Sequence, residues 1–222
     1  MAQNAPTWLD LYDWRGRVAA MYEARADALR RGGDPQAVWE RFRATKDSLF
    51  KQHPQSPLSV EQRQTFDGLR YFPYDAALAV AADLEALAEA PEAALEASGP
   101  HTMRFRPAAR ARCIMGDTPV TLTVYWIDVY GGGLFLPFRD ATCGTETYGG
   151  GRYLHDTVKG SALLRLDEEP GTMGFHGGRV LLDFNYAYNP SCAYDARWVC
   201  PLAPNENRLP LPVRAGELAF AH

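Results

Sequence analysis

Apolar residues in the first part of the chain recur at spacings of three and four, the period of an amphipathic helix. The pattern predicts a first helix over residues 7–31, with Thr7 as its N-cap and the pair Gly32-Gly33 at its end. The apolar stripe of this helix is expected to contain Trp8, Leu11, Tyr12, Val18, Ala19, Tyr22 and Leu29.

Capping signals predict two further helices. Asp34 can cap a helix whose first residue is Pro35, and the apolar repeat then continues to about Phe50. Ser59 and Gln62 have the spacing of a capping box, which predicts a short third helix.

The pattern then changes to the alternation of period two that is typical of strands. Residues 103–115 and 120–130 are predicted to form a strand pair joined by the turn Met115-Gly-Asp-Thr118, because Gly-Asp is favourable turn chemistry. A strand entry is expected at residues 69–75, and further strands at residues 134–138, 161–167 and 179–184.

Residues 76–90 leave two alternatives open. Their alanine-rich composition favours a helix, whereas the alternation of Leu78, Val80 and Ala82 also fits a strand. Residues 91–100 are expected to form an exposed connection.

Together these elements predict an α+β fold, in which N-terminal helices precede an antiparallel, barrel-like β-sheet with long Gly/Pro-rich loops. Residues 1–33 are expected to form a separable helical extension. Residues 34–222 are expected to form a single α+β domain with a β-barrel-like core and an extended C-terminal arm.

Composition and charge narrow the possible functions. The 222 residues are 46% hydrophobic and 23% charged with a net charge of -4, which is typical of a globular protein and not of a nucleic-acid binder. No apolar run approaches the roughly 20 residues of a membrane helix, and the N-terminus lacks a signal-peptide pattern. We therefore expect a cytoplasmic protein that binds neither nucleic acid nor membrane. Its oligomeric state stays open.

The loop between Phe138 and Tyr153 is the first candidate site. Its glycines let backbone N–H groups approach a ligand, and flanking arginines can hold a carboxylate or a phosphate. The alternative is that the charged residues pair inside a folded loop. The residues concerned are Arg139, Asp140, Thr142, Glu146, Thr147, Tyr148 and Arg152.

A second candidate group lies at the end of the last predicted strand. The side chains at positions 183 and 185 share one side of that strand, where they would serve acid–base or hydrogen-bonding chemistry. The alternative is that they form Asx turns before Pro190. The group contains Asp183, Asn185, Tyr188, Asn189 and Tyr194.

Two cysteines and a proline-rich arm complete the candidates. Cys192 and Cys200 have no histidine near them in sequence and do not supply the four ligands of a zinc site, so no metal is predicted. They are interpreted as small buried residues or, alternatively, as a disulfide or a reactive thiol. The arm either closes a pocket or satisfies backbone groups through Asn205, Glu206, Asn207, Arg208 and Arg214.

Several segments resemble one family. The segment R-A-T-K-D-S-L-F-K-Q-H-P-Q-S-P-L, followed by F-D-G-L-R-Y-F-P-Y-D, is similar to the start of the domain-of-unknown-function family 1684. P-F-R-D-A-T-C-G-T-E-T-Y-G-G-G-R-Y, D-F-N-Y-A-Y-N-P-S-C-A-Y and C-P-L-A-P-N-E-N-R-L-P-L-P-V-R-A-G-E resemble its hallmark motifs. The resemblance covers about residues 40–217 and implies no activity, because none is assigned to the family. The chain departs from the family at Cys143, His155 and Tyr186, which argues against catalytic roles for these residues.

The leading functional hypothesis is an enzyme that acts on a small polar, anionic molecule. The ligand-binding residues would be Arg139, Thr142, Thr147, Arg152, Asn185 and Asn189. The catalytic residues would be Asp140, Asp183, Tyr148 and Tyr194. The two arginines and two aspartates are expected to converge in one concave site, so that Arg152→Ala weakens anion binding more than stability.

Three alternatives to this hypothesis remain open. They are a non-catalytic small-ligand-binding protein, a flavin-type cofactor-binding barrel and an interaction protein. The sequence leaves the cofactor unknown.

Overall fold

Three helices precede an antiparallel sheet in the computed structural model, which describes residues 6–88, 93–99, 103–167 and 173–221. The helices are α1 (Trp8–Arg30), α2 (Pro35–Gln52) and α3 (Val60–Thr65). The strands are β1 (Ala79–Ala86), β2 (Ala93–Leu95), β3 (Met103–Met115), β4 (Thr118–Ile127), β5 (Gly133–Phe138), β6 (Arg152–Asp156), β7 (Leu164–Arg165) and β8 (Gly177–Asp183). No helix in these ranges is long and apolar enough to cross a membrane.

The strands lie in the order β6-β5-β4-β3-β1-β8-β7, and β2 pairs with β3. Every pairing is antiparallel, and the sheet curls into a half-barrel. The inner face is filled by buried side chains such as Leu122, Leu136, Phe138, Val180 and Phe184. The predicted α+β class with a barrel-like sheet is therefore confirmed.

The helix caps are confirmed, but the predicted stripe of α1 is wrong in its first turns. Thr7 caps α1 with a capping box, as Ser59 does for α3. Trp8 and Tyr12 are 87% and 79% exposed, whereas Tyr22 is buried. The helix packs against α2 and against residues 157–159 through its later turns, so its first turn extends into solvent.

Strand β1 decides between the alternatives for residues 76–90. After a short 3-10 turn, Ala79–Ala86 pairs with β3 on one side and with β8 on the other. Two ladders of hydrogen bonds outweigh a helix preference that amounts to less than about 1 kcal/mol per residue. Residues 89–90 lie outside the described residues.

Three other predictions about strands need correction. The predicted exposed connection at 91–100 contains β2, whose Leu95 is buried; residues 91, 92 and 100 lie outside the described ranges. The sequence predicts no strand over residues 152–156, and the loop expected to run to Tyr153 ends where β6 begins at Arg152. All five residues of β6 are buried, which removes the alternation that marks a half-exposed strand. Within residues 69–75, Tyr71 forms only an isolated bridge with Glu217.

Helix α1 is held to the sheet by a buried ion pair and a close backbone contact. Arg25 Nη2 donates to Asp183 Oδ2 over 3.3 Å, and both side chains are buried. Gly160 has φ +95°, and a Cβ there would lie 2.8 Å from the Ala19 nitrogen. The separability of residues 1–33 stays a prediction, and these contacts argue against it.

Candidate functional site

The first candidate group forms an internal network. Asp140 Oδ2 accepts hydrogen bonds from the Thr142 hydroxyl at 2.8 Å and from the Val213 N–H at 2.6 Å, while Arg152 Nη2 lies 3.4 Å from Asp140 Oδ1. The hydroxyl oxygens of Thr142 and Thr147 are 2.9 Å apart. The contacts correspond to the alternative in which the charges of this loop pair with each other.

Arg152 joins β6 to the C-terminal arm. Its side chain is 0% exposed and donates to the carbonyl oxygens of Val213 at 2.8 Å, of Glu217 at 3.3 Å and of Ala215. Burial lowers the pKa of Arg152, and the neighbouring Asp140 carboxylate opposes that shift. Three carbonyls and one carboxylate therefore bind the two Nη groups, while the buried Nε has no hydrogen-bond partner within the described residues.

The other two charges of the predicted site have different partners. Arg139 Nη2 donates to the carbonyl of Gly149 over 2.5 Å. Asp183 pairs with Arg25 of α1 and accepts a hydrogen bond from the Asn185 N–H at 3.1 Å. Of the four charged residues expected in one site, the structure brings Asp140 and Arg152 into contact.

Asn185 and Asn207 satisfy backbone groups. The Asn185 amide accepts from the Asp75 N–H at 2.9 Å and donates to the Asp75 carbonyl at 2.8 Å. The Asn207 amide accepts from the Thr123 N–H at 2.7 Å and donates to the Pro137 carbonyl at 2.7 Å. Asn207 thus fixes the C-terminal arm to β4 and β5, and Asn185 joins the 3-10 turn after β8 to the segment before β1.

Tyr194 and Asn189 meet at Glu217, a residue that the sequence reasoning missed. Glu217 is 0% exposed. Its carboxylate accepts hydrogen bonds from Tyr194 Oη at 2.5 Å, the Asn189 N–H at 2.8 Å, Tyr71 Oη at 3.0 Å and Lys46 Nζ at 2.5 Å. Four donors hold one buried carboxylate, which offsets the cost of removing it from water.

Lys46 could have been identified from the helical pattern. The buried residues of α2 are Val38, Trp39, Phe42, Lys46 and Phe50, so Lys46 lies on the apolar face. Lysine is almost never buried without a partner, and its position therefore indicates an acidic residue opposite. Glu217 was harder to identify, because its only indication in the sequence is its position at the end of the motif that closes with V-R-A-G-E.

A partly enclosed cleft of about 80 Å³, here called the lysine cleft, borders this cluster. Its apolar wall includes Trp14, Val18, Met21, Tyr22, Leu49 and Phe50. Its polar lining consists of Lys46, Lys159, Ser161, Asn189, Ser191 and Tyr194. Among the described lining residues, two are lysines and none is a carboxylate.

The polar groups of the cleft retain hydrogen-bonding capacity. The Lys46 ammonium has three donors, and Glu217 accepts one of them. Lys159 Nζ lies 3.5 Å from Asp156 Oδ2, and the lysine side chain is 43% exposed. Asn189 Oδ1 is buried and has no hydrogen-bond partner within the described structure. The cleft thus presents two cations, and one of its lining residues has a buried amide oxygen without a partner.

Burial and the adjacent Glu217 carboxylate raise the pKa of Tyr194 well above its ordinary value of 10.0. Its hydroxyl therefore stays protonated at neutral pH. Tyr148, the other predicted catalytic tyrosine, lies elsewhere, with its hydroxyl 3.5 Å from Cys192 Sγ.

His155 is a buried titratable residue whose two ring nitrogens have no hydrogen-bond partner in the described ranges. Burial, together with the Arg25 charge, lowers its pKa from 6.5 to about 3. The unfolded chain therefore takes up a proton first as the pH falls. The free energy of unfolding is therefore unaffected by the protonation of His155 above about pH 6.5. It decreases progressively as the pH falls from about 6.5 towards about 3, because the unfolded chain binds a proton there that the folded chain does not.

His155→Leu is accordingly expected to flatten the acid side of the stability profile. Between about pH 6.5 and pH 3 the loss of unfolding free energy should be smaller than in the wild type, by on the order of a few kcal/mol. Urea denaturation across this pH range measures the difference. The exposed His176 supplies the control His176→Leu, which should keep the wild-type slope. Parallel profiles for wild type and His155→Leu would contradict the assignment.

The sequence profile of the family described as "Protein of unknown function (DUF1684)" matches residues 64–218. This range includes the three later motifs, whereas the quoted segment at residues 43–58 precedes it. The solution NMR structure of an uncharacterised protein from Haloarcula marismortui is similar, with 33% sequence identity and a TM-score of 0.57. The similarity covers 81% of this chain and 91% of that chain. No curated protein matches.

Proposed function

This chain belongs to the DUF1684 family of proteins of unknown function, and from its own geometry we propose that it binds a small organic anion with an apolar body in the lysine cleft. The observation that carries the proposal is the lining itself, in which two lysines and no carboxylate lie beside an apolar wall. Small-molecule sites commonly combine such a wall with a few convergent polar groups.

The apolar body of the ligand would pack between α1 and α2. Trp14, Met21 and Phe50 offer aromatic and flexible apolar surface to one side of the cleft. Removing apolar area from water contributes about 25 cal/mol per Å². A short alkyl or aryl group is the body that this wall favours.

The acidic group of the ligand would lie near Lys46 and Lys159. Glu217 neutralises Lys46 and is not itself among the cleft's lining residues. The remaining ammonium donors can reach a carboxylate without moving the buried pair. Asn189 Oδ1 could accept a hydrogen bond from a hydroxyl or amide of the same ligand.

Isothermal titration calorimetry with hexanoate and benzoate tests the proposal, and hexanol and benzyl alcohol serve as uncharged analogues. Both carboxylates should bind more tightly than the alcohols. Lys159→Ala should weaken carboxylate binding about tenfold, the equivalent of roughly 1.4 kcal/mol, by removing one charge-assisted contact. Lys159 is partly exposed, so the variant should keep its fold.

Lys51→Ala is the matched control, because this exposed lysine donates to the Phe66 carbonyl and does not line the cleft. Its carboxylate affinity should equal that of the wild type. Leu49→Trp, which fills the cleft, should abolish binding. Equal affinities for carboxylates and alcohols, or unchanged binding in Leu49→Trp, would refute the site.

An enzyme acting on the same anion is the second candidate function. The observation that favours it is that two residues lining the cleft, Tyr194 and Lys46, both contact the carboxylate of Glu217. Such a cluster could orient a proton donor towards a bound substrate. A flavin-type cofactor is a further alternative, and the visible absorption spectrum of the purified protein tests it.

A further inference from the structure

Two cysteines outside the lysine cleft lie side by side near the protein surface. Cys192 sits in the 3-10 turn Ser191–Ala193 and is partly exposed, while Cys200 is buried. The Cys192 N–H donates to Cys200 Sγ over 3.3 Å. The two residues are therefore neighbours in space although a loop of seven residues separates them in sequence.

Each cysteine is fixed by its surroundings. The Cys200 N–H donates to Ser98 Oγ at 2.9 Å, and its carbonyl accepts from the Ser98 N–H at 2.9 Å. Tyr148 Oη lies 3.5 Å from Cys192 Sγ, within reach of a weak hydrogen bond. Cys192 thus contacts a hydroxyl through its sulfur and the sulfur of Cys200 through its backbone N–H.

The two thiols differ in their chemistry. Their mutual interaction is the largest cause that lowers the pKa of Cys192 from 9.0 to about 6, and Tyr148 contributes in the same direction. The same interaction, with burial, raises the pKa of Cys200. The direction of these shifts favours the thiolate at the more accessible sulfur, and the thiolate is the nucleophilic form.

We propose that Cys192 and Cys200 form a redox-active dithiol that exchanges with small-molecule disulfides. The proposal goes beyond the ligand site and does not depend on it. It rests on the adjacency of two thiols, the accessibility of one of them and the hydroxyl that contacts it.

The exchange takes place in two balanced steps. The Cys192 thiolate attacks one sulfur of a disulfide RSSR, which forms the mixed disulfide Cys192–SR and releases RS⁻. Cys200 then loses its proton to solvent and attacks Cys192 Sγ, which forms the Cys192–Cys200 disulfide and releases a second RS⁻. The dithiol is oxidised by two electrons, and RSSR is reduced to two thiols.

Neither of the other two cysteines has a second thiol among its contacts within the described residues. Cys113 is buried in β3, and burial raises the pKa of its thiol. Cys143 Sγ lies 3.6 Å from Asp140 Oδ1 and 3.8 Å from Thr147 Oγ1, inside the loop network. They provide internal references for selectivity within the same chain.

Incubation of the folded, full-length protein with oxidised glutathione tests the proposal, followed by alkylation of the remaining thiols and peptide mass mapping. In the wild type we expect a disulfide between Cys192 and Cys200, with Cys113 and Cys143 alkylated. Cys200→Ser should retain glutathione on Cys192, because no resolving thiol is present. Cys192→Ser should lower the rate of total glutathione incorporation into the protein about tenfold, since it removes the thiolate that reacts first.

Cys143→Ser is the matched control and should form the disulfide at the wild-type rate. Circular dichroism of each variant establishes that it is folded, and the wild-type peptide map tests the pairing without any substitution. The proposal is overturned if the wild type keeps glutathione on Cys192 without closing the disulfide, if Cys143 reacts first, or if no thiol reacts in the folded protein.

Discussion

Arg152→Ala is expected to lower the free energy of unfolding by about 4 kcal/mol, because it breaks a fully buried ion pair. The substitution removes the cationic partner of Asp140 and leaves the carbonyls of Val213, Ala215 and Glu217 without their donor. Each buried polar group without a partner costs about 1–3 kcal/mol. The C-terminal arm should detach from β6 as a result.

Urea denaturation monitored by circular dichroism measures this effect. Arg208→Ala is the matched control, because Arg208 is exposed, and it should change the unfolding free energy by less than about 0.5 kcal/mol. The sequence alone predicts that Arg152→Ala weakens anion binding more than it lowers stability. The contacts of Arg152 in the structure predict instead that the loss of stability is the main effect. A stable Arg152→Ala variant with impaired carboxylate binding would restore that hypothesis.

Glu217→Gln is expected to lower the free energy of unfolding by about 3 kcal/mol, because it leaves a buried ammonium without its counter-charge. A glutamine places an NH₂ group where the carboxylate now accepts hydrogen bonds from Lys46, Tyr71, Tyr194 and the Asn189 N–H. At least one of these donors would then face another donor. The wall between the helices and the C-terminal arm should loosen.

A double-mutant cycle with Lys46→Met separates the ion pair from the rest of the cluster. The double variant should cost less than the sum of the two single variants, because no charge remains buried and unpaired. The exposed Glu23 supplies the control Glu23→Gln, which should be within about 0.5 kcal/mol of the wild type. Additive losses in the cycle would show that Lys46 and Glu217 do not stabilise each other.

Local signals in the sequence predicted much of the fold. Thr7, Asp34 and Ser59 cap their helices as expected, since a cap is decided by a side chain and the backbone within three residues of it. The pair β3–β4 was found for the same reason, because a tight turn at Gly116-Asp117 joins two alternating segments. Family membership was also readable, since it rests on motifs in order.

Long-range pairing decided what local pattern left open. Residues 79–86 form a strand only because β3 and β8 lie on either side of them. Strand β6 is buried on both faces, so its residues show no alternation that a local reading could detect. The local sequence of these two segments therefore does not by itself predict that they are strands.

The candidate site shows the same contrast between local sequence signals and long-range contacts. The sequence by itself determined which polar residues stand in the unusual motifs, and it selected Asp140, Arg152, Asn189, Tyr194 and the two cysteines Cys192 and Cys200 as candidates. Only the tertiary structure decided their partners, since Lys46 and Glu217 are 171 positions apart and Arg25 and Asp183 are 158 apart. A buried charge is stable only beside its partner, and the partner is chosen by the packing of α1, α2 and the C-terminal arm on the sheet.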